Sequence, residues 1–338
     1  MVQNKLALTS AVVLALGTAA MSAQAAEVEI SGQVSRAIML PDDAAGNELQ
    51  HVDNNISGTR VRVKAKQALE NGMSMGARYE MQFQDNKGSA VNGGAVNEKS
   101  NSTLDVRYSD IYLSGDFGKV SLGKGDGASN GTTESDLSGT YMAAAANMMD
   151  LFGGLEYEVG KKMGSVYAMY DGYSRNNRLR YDSPKMAGFS IALSSAEGST
   201  REIALRYSGK FGDNKVKAAF FADDAGDGSR KDRTGGSIAF LSGMGFNALV
   251  AFSSQSATTG DDPTTVWFKL GYKTGKHAVS IDSGGTTDLG PDANTLGVAY
   301  AYRPAKGIET YVAYRAFEVD TAASADPTVF LVGSRFKF

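Results

Sequence analysis

From Glu27 to Phe338 the chain alternates polar and apolar residues with period two in sixteen segments, and few folds can use that pattern. The predicted strands are 27–40, 56–67, 73–84, 103–116, 119–125, 177–185, 188–197, 201–211, 214–223, 234–242, 245–255, 264–273, 276–283, 294–303, 307–318 and 328–338. Their connections alternate in length. Leu69-Glu70-Asn71-Gly72, Gly212-Asp213 and Ala305-Lys306 are short, whereas 41–55, 85–102, 224–233, 256–263, 284–293 and 319–327 are longer. In 73–84, Met73, Met75, Ala77, Tyr79, Met81 and Phe83 share one face, and Ser74, Gly76, Arg78, Glu80, Gln82 and Gln84 share the other. A soluble sandwich or solenoid would bury the apolar face. A membrane barrel turns it to lipid and lines water with the polar one.

The two ends decide between these. Lys5, the apolar run Leu6–Met21 and the small residues Ala23-Gln24-Ala25 read as a cleaved export signal over 1–26, with the mature start at Ala26 or Glu27. The other end is an alternating strand that finishes on Phe336 and Phe338. An exported chain of strands closing on an aromatic is expected to be a transmembrane antiparallel β-barrel, one domain over 27–338. The mean hydropathy of -0.24 fits, because each barrel strand shows lipid only half its residues. Cysteine is absent, so disulfides, thiol catalysis and Cys-based metal sites are excluded. With Lys5 set aside, 33 basic residues face 37 acidic ones, a net charge of -4 that gives no reason to expect nucleic acid.

One connection breaks the rhythm. Roughly fifty residues, about 126–176, separate the fifth and sixth strands, far more than an ordinary loop. Within them Glu134–Leu151 predicts a short helix, capped at Ser135 or Asp136 and stopped by Gly153-Gly154. Leu155–Val159 and Ser165–Tyr170 form a possible hairpin, which would raise the strand count to eighteen if it entered the wall.

The chain resembles the general diffusion porins of Gram-negative bacteria. The resemblance is carried, in order, by Val28-Glu29-Ile30-Ser31-Gly32, by Ser57-Gly58-Thr59-Arg60-Val61-Arg62-Val63 and by Asp110 through Gly123. Arg180-Tyr181-Asp182-Ser183-Pro184 with Gly188-Phe189, and the terminal Phe338, complete it. It implies a sixteen-stranded homotrimeric barrel, one pore per subunit, whose third outer loop folds inward and narrows the lumen. It implies inward basic residues on early strands, here Arg60, Arg62, Lys64, Arg78, Arg107 and Arg180, opposite carboxylates at Glu134, Asp136 and Asp150, with Glu80 on the basic wall beside a neighbouring arginine. Phe338, with Phe336, matches the family's signal for the barrel-assembly machinery. The other expected partners are outer-membrane lipid and lipopolysaccharide, small ions and hydrophilic solutes; Gly32 suits a tight subunit contact. A substrate-selective channel and a structural or adhesive barrel are the alternatives, separated by saturable flux and by conductance.

No catalytic residue, metal or cofactor is expected. Gly127-Ala128-Ser129-Asn130-Gly131 fits the G-x-S-x-G pattern and His277 follows it, but no βαβ alternation surrounds the motif. His51 and His277 lack metal-ligand spacing. Asp223-Asp224 and Asp261-Asp262 are expected to be solvated loop carboxylates.

Overall fold

The computed structural model describes residues 26–94, 103–226 and 231–338; the export signal expected over 1–26 lies almost wholly outside them. Sixteen antiparallel strands form a closed wall, and a short extra strand, Gln50–Asp53, pairs with the first of them. They are β1 (Glu27–Asp42), β2 (Arg60–Ala68), β3 (Ser74–Gln84), β4 (Thr103–Gly115), β5 (Gly118–Asp126), β6 (Arg175–Asp182), β7 (Phe189–Ala196) and β8 (Arg201–Phe211). The rest are β9 (Asn214–Asp224), β10 (Arg233–Leu241), β11 (Phe246–Gln255), β12 (Thr264–Thr274), β13 (His277–Thr287), β14 (Ala293–Tyr302), β15 (Ile308–Val319) and β16 (Thr328–Lys337). Each predicted segment holds one of them. The wall closes on β1, whose lower half pairs with β2 (Ile30 opposite Val63) and whose upper half pairs with β16 (Ile38 opposite Val332). A barrel leaves no free edge for another chain to extend.

Apolar residues point outward, as alternation requires. Ile30, Ile38, Val63, Tyr79, Ile111, Leu122, Phe268, Val298 and Phe330 are all exposed, which for a membrane wall means exposed to lipid. Short turns join strands at one rim. Gly212 sits at φ 58° in one of them, a left-handed conformation that favours glycine. At the same rim Phe338 exchanges both backbone hydrogen bonds with Gly32, at 2.9 and 3.1 Å. A Cβ on Gly32 would lie 2.6 Å from the Phe338 ring. Gly32 therefore makes room for the chain's own terminal aromatic.

The 127–174 connection folds into the lumen rather than standing outside it, and two expectations about it are corrected. The predicted helix over 134–151 shrinks to one turn, α1 (Met149–Phe152), ended by Gly153. Residues Ala143–Ala146 form tight turns, because all four alanines are buried against the wall. Side-chain burial outweighs the helix propensity of an alanine run. The possible hairpin is a two-rung pairing of Glu156–Glu158 with Lys161–Lys162 that stays out of the wall, so the count is sixteen and not eighteen.

The loop divides the lumen. Met142, Met148, Leu151, Phe152, Leu155, Met163 and Tyr167 pack against inward residues of β10 to β16, including Ala239, Ala251, Trp267, Ala299, Ala301, Ala313, Phe317 and Leu331. Small inward alanines give the space that the loop's large side chains fill. A buried loop must also satisfy its backbone polar groups. Inward hydroxyls do so: Ala128 N–H donates to Ser194 (2.8 Å), Ser135 N–H to Ser237 (3.1 Å) and Tyr170 N–H to Ser253 (2.9 Å). Thr265 donates to the Ala168 carbonyl at 2.6 Å.

Candidate functional site

Opposite this packed half, β2 to β6 present the basic residues singled out from the sequence. Glu80 on β3 is wholly inaccessible to solvent and is surrounded by three guanidinium groups. Arg107 Nε donates to it at 2.6 Å, Arg62 Nε at 2.5 Å, and Arg60 lies 3.4 Å away. Three cations on one carboxylate leave the group positive, and the charge-assisted hydrogen bonds fix its geometry. Arg107 reaches this cluster through a β-bulge. The β3–β4 register shifts between Glu80 and Met81, so Tyr108 faces Glu80, Val106 faces Met81, and Arg107 is the extra residue. The bulge turns Arg107 and Tyr108 to the same side.

Below this cluster Asp110, also buried, bridges Arg78 (2.8 Å) and Arg178 (2.7 Å). Arg78 stacks 3.5 Å from the centre of the Tyr108 ring. Arg180 holds Asp182 (2.6 Å) and donates to the Gly127 carbonyl (2.6 Å), so it props the root of the loop. Lys64 pairs with Glu29 at 3.5 Å near the turn-side rim, away from the narrowing. Arg178 and Arg175 were not singled out from the sequence. Arg178 sits on inward parity beside Arg180, a signal that was available. Arg175 pairs with Asp126 at 3.2 Å at the loop's exit, where parity gives no guide.

The loop carboxylates separate into two groups. Glu134 and Asp150 gather with Asp171, a third acid not foreseen. Glu134 accepts from the Tyr141 hydroxyl at 2.6 Å, Asp171 from Gly131 N–H at 3.0 Å, and Asp150 from Asn147 at 2.9 Å. Desolvation by the surrounding protein and then the Asp171 charge push Asp150 up to about 6, while the Asn147 hydrogen bond and the charges of Arg175 and Arg107 pull it back. The Asp150 side chain is exposed, and the charges of Arg175 and Arg107 act on it. Burial and then Asp171 raise Glu134 well above the ordinary carboxylate range.

Asp136 departs from expectation. It lies on the packed side and pairs at 2.6 Å with Lys269 of β12, whose side chain is fully buried. Burial pushes the Asp136 carboxyl up, but the Lys269 charge and hydrogen bond, with Ser138, outweigh it and hold it below the ordinary value. Asp136 is therefore an anchor of the loop rather than a face of the narrowing. Glu80, for its part, belongs to the basic wall and binds it together. Asp223 also differs from expectation: it faces inward, buried, and accepts from Ser129. Ser129 and His277 are not brought together, since the His277 ring stacks on Tyr302 and bonds the Tyr300 hydroxyl at 2.7 Å.

A closed wall of sixteen strands, an inward loop and a water-facing band of charge fit one family, and the comparisons agree. The family model for Gram-negative porins matches residues 7–322. The chain belongs to the Gram-negative porins. Its fold is similar to an anion-selective porin from Comamonas acidovorans, with TM-score 0.64 and 16% identity over 93% of this chain and 100% of that one. It is also similar to the OmpT loop-deletion mutant of Vibrio cholerae, with TM-score 0.63 and 15% identity over 93% and 100%. A Rh. blastica porin mutant matches with TM-score 0.60 and 16% identity over 92% and 100%. A search of curated protein sequences finds no match. As a porin the chain forms a water-filled outer-membrane channel through which ions and small hydrophilic solutes diffuse passively. The wall, the loop and the charges across the lumen are the parts such a channel requires.

Proposed function

We propose that solutes cross through the half of the lumen lined by β2 to β6, and that this pore prefers anions. The observation that carries the reading is buried Glu80 holding Arg60, Arg62 and Arg107. One carboxylate fixes three guanidiniums, which stay charged at any working pH and so give a permanent field. Across from them Asp150 is the exposed acid; burial and then the Asp171 charge raise Glu134 well above the ordinary carboxylate range, and burial raises Asp171 against the hydrogen bonds that lower it. The balance across the gap is positive. The name of the Comamonas acidovorans neighbour, an anion-selective porin, agrees with this reading. Reversal potential in a potassium chloride gradient tests it: the sign should be that of chloride preference, and a potassium-preferring potential would overturn it.

The proposed assembly is a homotrimer, inserted by the barrel-assembly machinery through Phe338 after export on residues 1–26, with lipopolysaccharide around its outer rim. One Vibrio cholerae OmpT neighbour is described in a trimer form. This chain adds a feature of its own. Arg36 lies on the outward face of β1, with His51 and Ser334, beside a groove of 520 Å³. Its guanidinium donates to the Asp85 carbonyl at 2.9 Å. An arginine facing lipid costs about 2–4 kcal/mol at the midplane and about 0–1 near the interface. A neighbouring subunit over β1, β15 and β16 would remove that cost. Mass measurement in mild detergent should give three chains; a conducting monomer would refute it.

A further inference from the structure

We propose that the lumen carries a weak binding subsite for phosphorylated sugars, in the cleft between the underside of the inward loop and strands β7 to β9. The inference rests on the porin reading and names a solute class for it. The cleft has a volume of 330 Å³ and three cations, Lys185, Arg206 and Lys217. This lies at the low end of small-molecule sites, roughly 300–1,000 Å³.

The cations are arranged by the sheet. Arg206 stands directly opposite Ser190, and Lys217 directly opposite Ser208, so charge and hydroxyl alternate along the wall. Arg206 and Lys217 are diagonal neighbours, about 7–8 Å apart at the backbone. Arg206 is held by two neutral acceptors, the carbonyls of Ala128 (2.7 Å) and Asn130 (3.0 Å), which fix its direction without cancelling its charge. Among the described residues, neither Lys185 nor Lys217 has a carboxylate within ion-pair distance. Three like charges at one end of the cleft, none of them in an ion pair among the described residues, repel one another, and a dianion relieves that repulsion.

The other end of the cleft has different chemistry. Glu134 and Ser135 of the loop close it, and Ala219 and Gly131 leave it open in the middle. Carboxyl and hydroxyl groups accept and donate to sugar hydroxyls, as the cations do to phosphate. An anionic head with a hydroxylated body matches both ends; a bare anion matches only one. The cleft reaches Lys185 and Gly188 in the short connection between β6 and β7, so it lies on the turn side of the loop. A channel site must hold its solute weakly enough to let it leave.

Planar-bilayer recording of the whole protein tests this with glucose 6-phosphate, glucose and inorganic phosphate. Glucose 6-phosphate should reduce the chloride current saturably, at lower concentration than inorganic phosphate, and glucose should do nothing. Lys185→Gln with Lys217→Gln removes two exposed lysines that no fold contact uses, so the barrel should assemble and conduct. Its apparent affinity for glucose 6-phosphate should fall roughly tenfold, about 1.4 kcal/mol. Block of equal strength in parent and variant, block by inorganic phosphate as strong as by the sugar phosphate, or a strictly linear response would each overturn the subsite. A parent protein that fails to conduct salt at all would instead overturn the porin reading beneath it.

Discussion

Strands β2 to β9 and strands β10 to β16 form one continuous sheet, yet their inward faces are made of different things. The first set offers Arg60, Arg62, Arg78, Arg178, Arg180 and Arg206, with Glu80 and Asp110 buried among them. The second offers Ala239, Ala251, Ala299, Ala301 and Ala313, with Ser237, Ser253 and Thr265 at intervals, and its Lys269 and Arg315 are buried in ion pairs with Asp136 and Asp282. The inward loop packs where side chains are small and where hydroxyls can take its backbone. It leaves open the side where long charged side chains need water, because burying unpaired guanidinium is costly. Wall composition thus decides where the loop sits, and the loop decides where the pore is.

The largest expected effect comes from breaking the anchor on the packed side. Lys269→Ala leaves Asp136 buried without its counter-charge, a loss of about 3–5 kcal/mol. Protease protection of the loop should fall sharply, and adding Asp136→Ala should restore part of it. Equal protection in single and double variants would mean the pair does not anchor the loop. Next comes overpacking: Ala251→Phe inserts a ring where Ala251 is fully buried against the loop. The expected cost is about 1–3 kcal/mol. The loop should shift toward the open half and lower single-channel conductance. An unchanged conductance would argue that the loop is not seated on this wall.

On the open side the effects are electrical rather than structural. Arg60→Ala with Arg107→Ala, keeping Arg62 to hold Glu80, should move selectivity toward cations. Near 1 M salt, where screening falls to about 3 Å, the shift should shrink. Matching reversal potentials in variant and parent at low salt would place the narrowing elsewhere. The smallest effect concerns Asp150. Its carboxyl, raised to about 6, is charged above that pH and takes a proton as the pH falls through it. Anion preference should therefore strengthen on acidification from pH 7 to pH 5, and Asp150→Asn should flatten that titration without reversing its sign.

Much of this was legible in the sequence. Period-two alternation marked all sixteen strands, and the over-long connection marked the inward loop. Parity placed Arg60, Arg62, Lys64, Arg78 and Arg107 on the inner face, with Arg180 beside them. Arg107 depends on a bulge, which nothing in Leu104–Asp110 announces. The loop was harder because its conformation is set by what it packs on: Tyr141–Ala146 reads as helix in isolation, and only the alanine-lined wall turns it into tight turns. Asp136 went to the wrong wall for the same reason, since its partner Lys269 lies 133 residues further on. The signal for that wall was present, in inward alanines alternating with serine and threonine from Ser237 to Ala313, but it marks a seat only once a loop is known to sit there.

The absence of native cysteine allows the most direct test, because any introduced thiol is the one that reacts. Arg62→Cys places a thiol on the open side, where the Arg62 side chain is 33% exposed. Ala301→Cys places one beneath the loop, where Ala301 is fully buried. A negatively charged methanethiosulfonate reagent should modify Arg62→Cys rapidly and change the single-channel current stepwise, while Ala301→Cys stays unreactive and its current unaltered. Rapid modification at Ala301→Cys, or none at Arg62→Cys, would contradict the division of the lumen into a packed half and a conducting half.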